Sequence, residues 1–189
     1  MNFDGEKMNI CLVKSQKNRY TGKNKKKGRG YMARIDKENY YLDIAETVSE
    51  RSTCLRRCYG AIIVKSDEVI ATGYNGAPRG RANCADLGRC TREELKIPSG
   101  QRYELCRSVH AEANCIISAS RNEMLGATLY MACRNPATGA LIPDSTSCAM
   151  CRRQISNAGI SKVVIRDTKT DYRIVDVDEW IENDDSLPQ

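Results

Sequence analysis

Two short stretches decide the fold of this chain: HAE at residues 110–112 and CAMC at residues 148–151. The sequence predicts that each of them begins a helix. One imidazole and two thiolates are the ligand set of a catalytic zinc site whose fourth position is left to water. The unpaired N–H groups and positive dipole end of a helix start favour thiolate over thiol. Because the chain has a single histidine, we expect zinc to be held by His110, Cys148 and Cys151.

Glu112 lies two residues after that histidine. At a helix start this spacing can place the carboxylate beside a metal-bound water without binding the metal, which is where a proton shuttle is needed. Zinc lowers the pKa of its water from 15.7 to about 7. An H-x-E motif followed about forty residues later by C-x-x-C is the signature of zinc-dependent nucleobase deaminases. The combination predicts that Glu112 is the catalytic acid and base.

Composition excludes several other classes of protein. The 189 residues are 41% hydrophobic and 29% charged, which is typical of one soluble globular domain. No apolar run approaches the ~20 residues needed to cross a bilayer, and the lysine-rich N-terminus lacks the apolar core of a signal peptide. We therefore expect a cytoplasmic protein. Since that compartment keeps thiols reduced, the ten cysteines indicate metal binding rather than disulfides.

The formal net charge of +6 is concentrated at the N-terminus. Residues 1–31 carry nine basic and two acidic side chains, whereas residues 32–189 carry 21 basic and 22 acidic ones. We interpret residues 1–31 as a basic, flexible extension and residues 32–189 as a single domain. The electrically balanced domain argues against a nucleic-acid partner, although the extension leaves a nucleic-acid arm as an alternative.

Strands alternate with helices along residues 32–189. This order indicates an α/β sandwich with helices on both faces of the sheet. The predicted strands are residues 59–64, 69–72, 128–133, 162–166 and 172–175. The predicted helices begin at residues 36, 110, 148 and 177, with long loops over residues 74–108 and 134–147.

Taken together, the motifs resemble those of the deoxycytidylate (dCMP) deaminases of the cytidine deaminase superfamily. The resemblance covers about residues 36–166 and includes RSTC at residues 51–54 and GYNG at residues 73–76. These two motifs distinguish the family from tRNA-adenosine and free-cytidine deaminases. The resemblance implies a three-layer α/β/α sandwich with a central mixed five-stranded sheet. It also implies hydrolysis of dCMP to dUMP and ammonia, which supplies dUMP for dTMP synthesis.

The resemblance further implies roles for individual residues. A zinc-activated water adds to C4 of the pyrimidine, while Glu112 delivers the water proton to N3 and later protonates the leaving amine. Asn75 would hydrogen-bond the sugar hydroxyl. Ala111, between the zinc ligand and Glu112, belongs to the same substrate-binding set.

The phosphate of a monophosphate substrate needs cationic donors. Arg56, two residues after Cys54, is the first candidate, and Arg107 and Arg79 are weaker ones. Family members are often hexamers regulated by dCTP and dTTP. The resemblance therefore implies a homo-oligomer that responds to these effectors.

Two features depart from the family pattern. Ser147 stands where the family has proline before the first zinc-binding cysteine. Since proline donates no ligand, we expect the zinc site to survive the change. The stretch between Tyr130 and Cys148 is also longer than usual, and we expect it near the pocket mouth, where it can alter substrate choice.

A second group of cysteines belongs to or flanks the long loop after residue 74. Its members are Cys54, Cys84, Cys90 and Cys106. Four thiolates can close a structural zinc site, and some family members carry a second zinc in this region. A long loop with few apolar residues needs such support, and four unliganded thiols are the alternative. Cys58, Cys115 and Cys133 are predicted to be small core residues.

Two other functions stay open at this stage. The enzyme alternative is a deaminase of another cytosine or adenine nucleoside, nucleotide or nucleic-acid base. The other is a non-catalytic, zinc-stabilised module that binds nucleotides. Glu112 argues against the second alternative, because a structural zinc site has no use for that carboxylate.

Overall fold

A computed structural model describes residues 34–183, so the predicted extension over residues 1–31 lies outside the described part. Within residues 34–183, five strands form one mixed sheet. The strands are β1 (Cys58–Lys65), β2 (Glu68–Tyr74), β3 (Thr128–Arg134), β4 (Lys162–Arg166) and β5 (Tyr172–Asp176). Their order is β2-β1-β3-β4-β5. The β3 and β4 strands run parallel and the other neighbours antiparallel, which confirms the predicted mixed five-stranded sheet.

Helices cover both faces of this sheet. They are α1 (Lys37–Ser49), α2 (Cys84–Leu87), α3 (Thr91–Glu94), α4 (Ala111–Ser118), α5 (Arg121–Met124), α6 (Ala149–Ala158) and α7 (Asp178–Glu182). A 3-10 turn also forms at Tyr103–Leu105. The predicted loop over residues 74–108 therefore contains α2, α3 and this turn, because elements of three or four residues leave no readable hydrophobic period. In the part of the chain that is described, no helix has the length and apolar character to cross a bilayer.

Successive residues of the inner strands point to opposite layers of the core. On β1, Ile63 packs in the hydrophobic cluster that contains residues of α4 and α6, whereas Ile62 packs in the cluster under α1. On β4, Ile165 packs in the first of these clusters and Val164 packs in the second. Both faces of the sheet are thus buried by a two-residue alternation, which produces the predicted three-layer α/β/α sandwich.

The first layer is fixed by how α1 begins and where it packs. The Asp36 carboxylate caps the helix by accepting a 2.9 Å hydrogen bond from the backbone N–H of Asn39. Leu42 is fully buried in the cluster beneath the helix. The backbone of α1 lies so close to β1 that a Cβ added at Gly60 would stand 2.1 Å from the Ala45 carbonyl oxygen.

The second layer carries the two motifs. A Cβ at Gly73 on β2 would lie 2.4 Å from the Ala111 carbonyl oxygen and 2.6 Å from the Cys115 nitrogen. The α4 helix therefore lies directly on the backbone of β2. The α6 helix crosses over from β3 to the parallel β4 and ends at Gly159, whose φ of 78° suits a left-handed cap.

The three cysteines predicted for the core differ in burial. Cys115 and Cys133 are fully buried, and the Cys115 thiol lies 3.1 Å from the Ala61 carbonyl oxygen. Cys58, at the first position of β1, is only half-buried. Position at a strand end thus limits how far a small apolar side chain is covered.

Candidate active site

His110, Cys148 and Cys151 come together at the starts of two neighbouring helices. The Nδ1 atom of His110 lies 3.5 Å from Cys148 Sγ and 3.4 Å from Cys151 Sγ. All three ligand atoms lie within 4.8 Å of one another. Zinc bonds of about 2.1 Å to nitrogen and 2.3 Å to sulfur, at a tetrahedral angle, would separate these atoms by about 3.6 Å. The donor set and its spacing therefore fit a zinc ion.

The surroundings of Cys148 favour its ionised form. Cys148 is the N-cap residue of α6, and its sulfur lies 3.5 Å from His110 Nδ1. The contacts with Cys151 and His110 outweigh burial and lower the pKa of the Cys148 thiol. Metal-binding thiols must be deprotonated, so this shift favours the form of Cys148 that binds a metal.

Glu112 lies in the first turn of α4 and is only 4% exposed. Burial raises the pKa of its carboxyl, against the opposing effects of hydrogen bonds from its own backbone N–H and from Ser147 and of the charge on His110. A buried carboxyl with a raised pKa beside a metal site is suited to take up and release a proton. This is the geometry that the H-x-E spacing predicts.

Ser147 is one part of the site that the motif alone does not reveal. The residue is 1% exposed, and its hydroxyl donates a hydrogen bond to Met131 Sδ at 3.4 Å while its presence beside Glu112 favours the ionised carboxyl. Cys148 is still the N-cap residue of α6 directly after it. The departure from proline therefore leaves the helix start in place and puts a hydroxyl beside Glu112.

These groups open into a cavity of about 450 Å³, a volume within the range of small-molecule sites. Four of the five predicted substrate contacts line its wall, namely Asn75, Arg56, Ala111 and Arg107. The fifth, the weaker phosphate candidate Arg79, lies outside that wall. The structure thus places the metal ligands, the carboxylate and the proposed substrate contacts around one space.

Asn75 is held rigidly at the cavity. Its Oδ1 accepts hydrogen bonds from the Ser52 hydroxyl at 2.6 Å and from the Tyr59 backbone N–H at 2.8 Å. Its Nδ2 donates to the Arg57 carbonyl oxygen at 2.8 Å. An amide nitrogen carries two N–H groups, so these contacts leave a second N–H for a ligand. The RSTC and GYNG motifs are therefore joined through Asn75.

The arginines of the wall have partners of their own. Arg56 Nε lies 3.4 Å from the Glu93 carboxylate, and Arg107 Nε donates to the Ala82 carbonyl oxygen at 2.5 Å. Arg57 and Arg152 also line the cavity, and no motif of the sequence selects either of them. The one feature of the sequence that points to them is their position next to predicted site residues, since Arg57 follows Arg56 and Arg152 follows the zinc-binding Cys151.

The last residues of the long 134–147 stretch form part of the same wall. Asp144, Ser145 and Thr146 line the cavity. Arg173 on β5 donates from Nη2 to the Ser145 carbonyl oxygen at 2.6 Å, and Asp167 accepts from the Asp144 backbone N–H at 2.8 Å. The last residues of the stretch are thus anchored beside the end of β4 and border the pocket, the location expected for this segment.

The four loop cysteines, Cys54, Cys84, Cys90 and Cys106, line the cavity as well. Burial raises the pKa of the Cys54 thiol, and the nearby thiols of Cys106 and Cys90 raise it further. Within residues 34–183, only the set His110, Cys148 and Cys151 brings three potential ligand atoms within 4.8 Å of one another. The loop cysteines are therefore neighbours without that close spacing, and their zinc site stays a prediction.

Residues 35–167 match the family model described as the cytidine and deoxycytidylate deaminase zinc-binding region. The chain belongs to this family, which confirms the resemblance of its motifs. It is 38% identical over 137 residues to a protein named deoxycytidylate deaminase from Mycobacterium phage D29, a match covering 70% of this chain and 96% of that protein.

A second relative is longer than this chain. The protein of the same name from Schizosaccharomyces pombe is 34% identical over 127 residues, which cover 67% of this chain and 36% of that protein. The match thus spans about a third of the yeast protein's length. Among solved structures, the dCMP deaminase of cyanophage S-TIM5 in apo form has a TM-score of 0.48 and 26% identity, covering 68% of this chain and 81% of that one.

Proposed function

We propose that this protein is a zinc-dependent hydrolase that converts dCMP and water to dUMP and ammonia. The observation that carries the proposal is the buried Glu112 carboxyl beside the His110, Cys148 and Cys151 set, in a cavity large enough for a nucleotide. Membership of the deaminase family and relatives named deoxycytidylate deaminase support the reaction and the substrate.

The residues of the site account for the proton transfers of this reaction. Zinc at His110, Cys148 and Cys151 would supply the Lewis acidity that activates a water molecule. Glu112 takes the proton of that water and delivers it to N3 of the pyrimidine. It then takes the remaining proton from the hydroxyl now on C4 and passes it to the amine, which leaves as ammonia while the C4 carbonyl forms. The neighbouring Ser147 hydroxyl would turn from Met131 Sδ to donate to the ionised carboxylate or to accept from the protonated one.

Substrate binding follows from the cavity wall. The second N–H of Asn75 would donate to a sugar hydroxyl, and the buried Ala111 would pack beside the base. Arg56 and Arg107 would bind the phosphate, each moving from its present carboxylate or carbonyl partner. The phosphate is the better partner for Arg107, because hydrogen bonds between two charged groups are stronger than those to a neutral carbonyl.

The test is a substrate panel on the zinc-loaded, full-length protein. Loss of absorbance at the cytosine band is followed for dCMP, dCTP and cytidine, with adenosine followed at its own band. We expect dCMP to give the highest kcat/KM. A preference for another compound would overturn the dCMP assignment and keep the deaminase class, whereas no turnover of any would favour a non-catalytic nucleotide-binding module.

The same panel, repeated with dCTP and dTTP, tests the proposed effectors. We further propose that the protein acts as a homo-oligomer, a hexamer, in the cytoplasm, where its thiols stay reduced. Sedimentation with and without each triphosphate measures the assembly. A monomer whose dCMP turnover ignores both triphosphates would contradict this part of the proposal.

We also propose a second, structural zinc ion on Cys54, Cys84, Cys90 and Cys106. The Cys54 sulfur accepts a backbone N–H from Arg56 at 3.5 Å, and this bond opposes the burial that raises the pKa of the Cys54 thiol. Burial also acts to raise the pKa of the Cys106 thiol, but its neighbours outweigh it and lower that pKa overall, which favours the metal-binding form of that sulfur. Zinc would hold the loop between β2 and α4, whose elements are too short to bury a core of their own.

This second ion predicts two zinc ions per chain in protein never exposed to chelator. Replacing Cys90 with serine should remove one ion and leave the catalytic one, and the loosened loop should raise KM before it lowers kcat. Cys133→Ser, in the sheet, is the matched control and should keep both ions. Metal analysis that finds one zinc per chain in the unmodified protein would show that the loop cysteines are ordinary thiols.

A further inference from the structure

The loop between β2 and α4 reaches the metal ligand His110 through stacked side chains. The rings of Tyr103 and His110 meet edge to face, with centroids 4.9 Å apart and planes at 89°. The guanidinium of Arg92 lies over the Tyr103 ring, with Cζ 4.3 Å from the ring centroid. We call these three side chains the Arg92–Tyr103–His110 column. It connects the loop to the zinc ligand His110 through two residues, Arg92 and Tyr103, that lie outside the zinc-site motifs.

Arg92 at the outer end of the column is fixed by its own loop. The residue is 6% exposed, and its Nη2 donates to the carbonyl oxygens of Pro98 at 2.9 Å and Gln101 at 2.6 Å. A buried guanidinium needs such partners. The backbone of residues 98–101 therefore determines where Arg92 lies, and Arg92 determines one face of the Tyr103 ring.

The inner end of the column, where Tyr103 contacts His110, affects the orientation of the His110 imidazole. His110 directs Nδ1 toward the sulfurs of Cys148 and Cys151, and Tyr103 contacts the same ring edge to face. An edge-to-face neighbour restricts the plane of a ring. Tyr103 thus holds the imidazole from the loop side.

We propose that Tyr103 is a positioning residue for the catalytic metal, so that the order of the loop over residues 84–106 determines zinc affinity at His110. The inference rests on the proposed function, in which His110 binds zinc. Tyr103 also lines the cavity, and a substrate contact is the competing role. The two roles differ in their consequence, because a positioning residue affects the metal in the absence of substrate.

The experiment measures zinc release from the loaded, full-length protein to a chelator of known affinity. The ion that is absent from His110→Ala identifies the catalytic site. We expect Tyr103→Leu to weaken zinc binding about three- to tenfold, the scale of an aromatic pair together with a contact that orients a ligand. Tyr103→Phe keeps the ring and should stay within twofold of the unmodified protein.

Arg92→Met tests the outer end of the column. It should weaken zinc binding less than Tyr103→Leu does, and the double variant should be no weaker than Tyr103→Leu alone, because both changes act through one contact with His110. Circular dichroism checks that each variant is folded. If Tyr103→Leu does not fold, Arg92→Met and Tyr103→Phe still decide the matter.

Four results would overturn the inference. The first is an unchanged zinc affinity in Tyr103→Leu or Arg92→Met, and the second is an equal loss of zinc affinity in Tyr103→Leu and Tyr103→Phe. The third is a double variant whose loss of zinc affinity equals the sum of the two single losses. The fourth is a Tyr103→Leu protein with a raised KM for dCMP and an unchanged zinc affinity. The last result would assign Tyr103 to substrate binding. An unmodified protein that holds no zinc at His110 would instead contradict the proposed function.

Discussion

The protonation behaviour of Glu112 depends strongly on the surroundings of its side chain. Its carboxyl is removed from water by the start of α4 and the segment before α6. Water would keep such a group ionised at neutral pH, whereas burial raises its pKa. The Ser147 hydroxyl beside it is a group that can act as a donor to the ionised carboxyl or as an acceptor from the protonated one. A single side chain can therefore serve two successive proton transfers.

The first prediction concerns this carboxyl. Glu112→Gln should keep the fold and the zinc ion and lower kcat on dCMP by ~10²–10⁴-fold or more, because an amide of similar shape cannot relay a proton. Steady-state kinetics and zinc analysis of the same preparation measure both properties. Glu179→Gln, at an exposed carboxylate of α7, is the control. Activity within tenfold of the unmodified protein would refute the assigned role.

At the scale of elements, the contact between β2 and α4 carries the site. The first turn of α4 holds Glu112 directly after His110, and the helix backbone lies against Gly73. The two nearest atoms that a larger side chain would meet there are backbone atoms, which cannot move away as the end of a flexible side chain can. Gly73, the first glycine of the GYNG motif, is thus required by the close approach of two backbones.

Gly73→Ala should therefore displace α4 and the groups at its start. We expect kcat/KM on dCMP to fall by about 100-fold, the scale reported for misplacing a reacting group by about 1 Å, together with a lower melting temperature. Gly80→Ala is the comparison, since a Cβ there meets nothing within 4 Å although φ is +79°. Normal kinetics in Gly73→Ala would mean that the helix adapts without disturbing the site.

The cap of α1 gives a prediction about pH. Burial would raise the pKa of the Asp36 carboxyl, but hydrogen bonds from Asn39 outweigh it and hold the pKa below its ordinary value of 3.8. A depressed pKa stabilises the folded state above the unfolded value, and this stabilisation is lost as the pH falls through the folded value. The contribution of Asp36 should therefore be complete at pH 7 and decline below about pH 4.

Asp36→Ala should lower the free energy of unfolding by about 1 kcal/mol at pH 7, as is usual for loss of an N-cap. The difference from the unmodified protein should shrink at pH 3. Asp36→Asn keeps a capping side chain without a titrating group, so its stability should vary less with pH in this range. Urea unfolding at both pH values measures the three proteins, and a difference that grows on acidification would contradict the argument.

At the scale of the whole molecule, much of the fold can be predicted from the alternation of short apolar runs with helical patterns along the chain. The five strands follow from short apolar runs, and the metal site follows from the single histidine and the C-x-x-C motif. The short helices around residues 84–105 were missed because three or four residues have no period. Arg152 and Tyr103 were missed because only tertiary packing brings them to the cavity.

The domain boundary gives a prediction at this scale. The family match begins at residue 35, and the residues that line the cavity begin at Cys54. Removing residues 1–31 should therefore leave kcat and KM for dCMP within about twofold of the full-length values, because no contact of the described site is lost. Kinetics of the shortened and full-length chains provide the measurement. A large drop would show that this segment contributes to turnover or assembly.

The parallel pairing of β3 with β4 has a consequence for the order of folding. Parallel neighbours require a crossover, and here the crossover contains α6, whose start supplies both thiolates. These sulfurs reach His110 only after the chain has closed around the sheet, so we expect the metal to be captured late on the folding pathway. The test is refolding in the presence of a chromophoric indicator that holds zinc. The change in Trp180 fluorescence reports burial of that side chain, and it should precede the change in absorbance that reports loss of zinc from the indicator. The reverse order would mean that the metal nucleates the crossover.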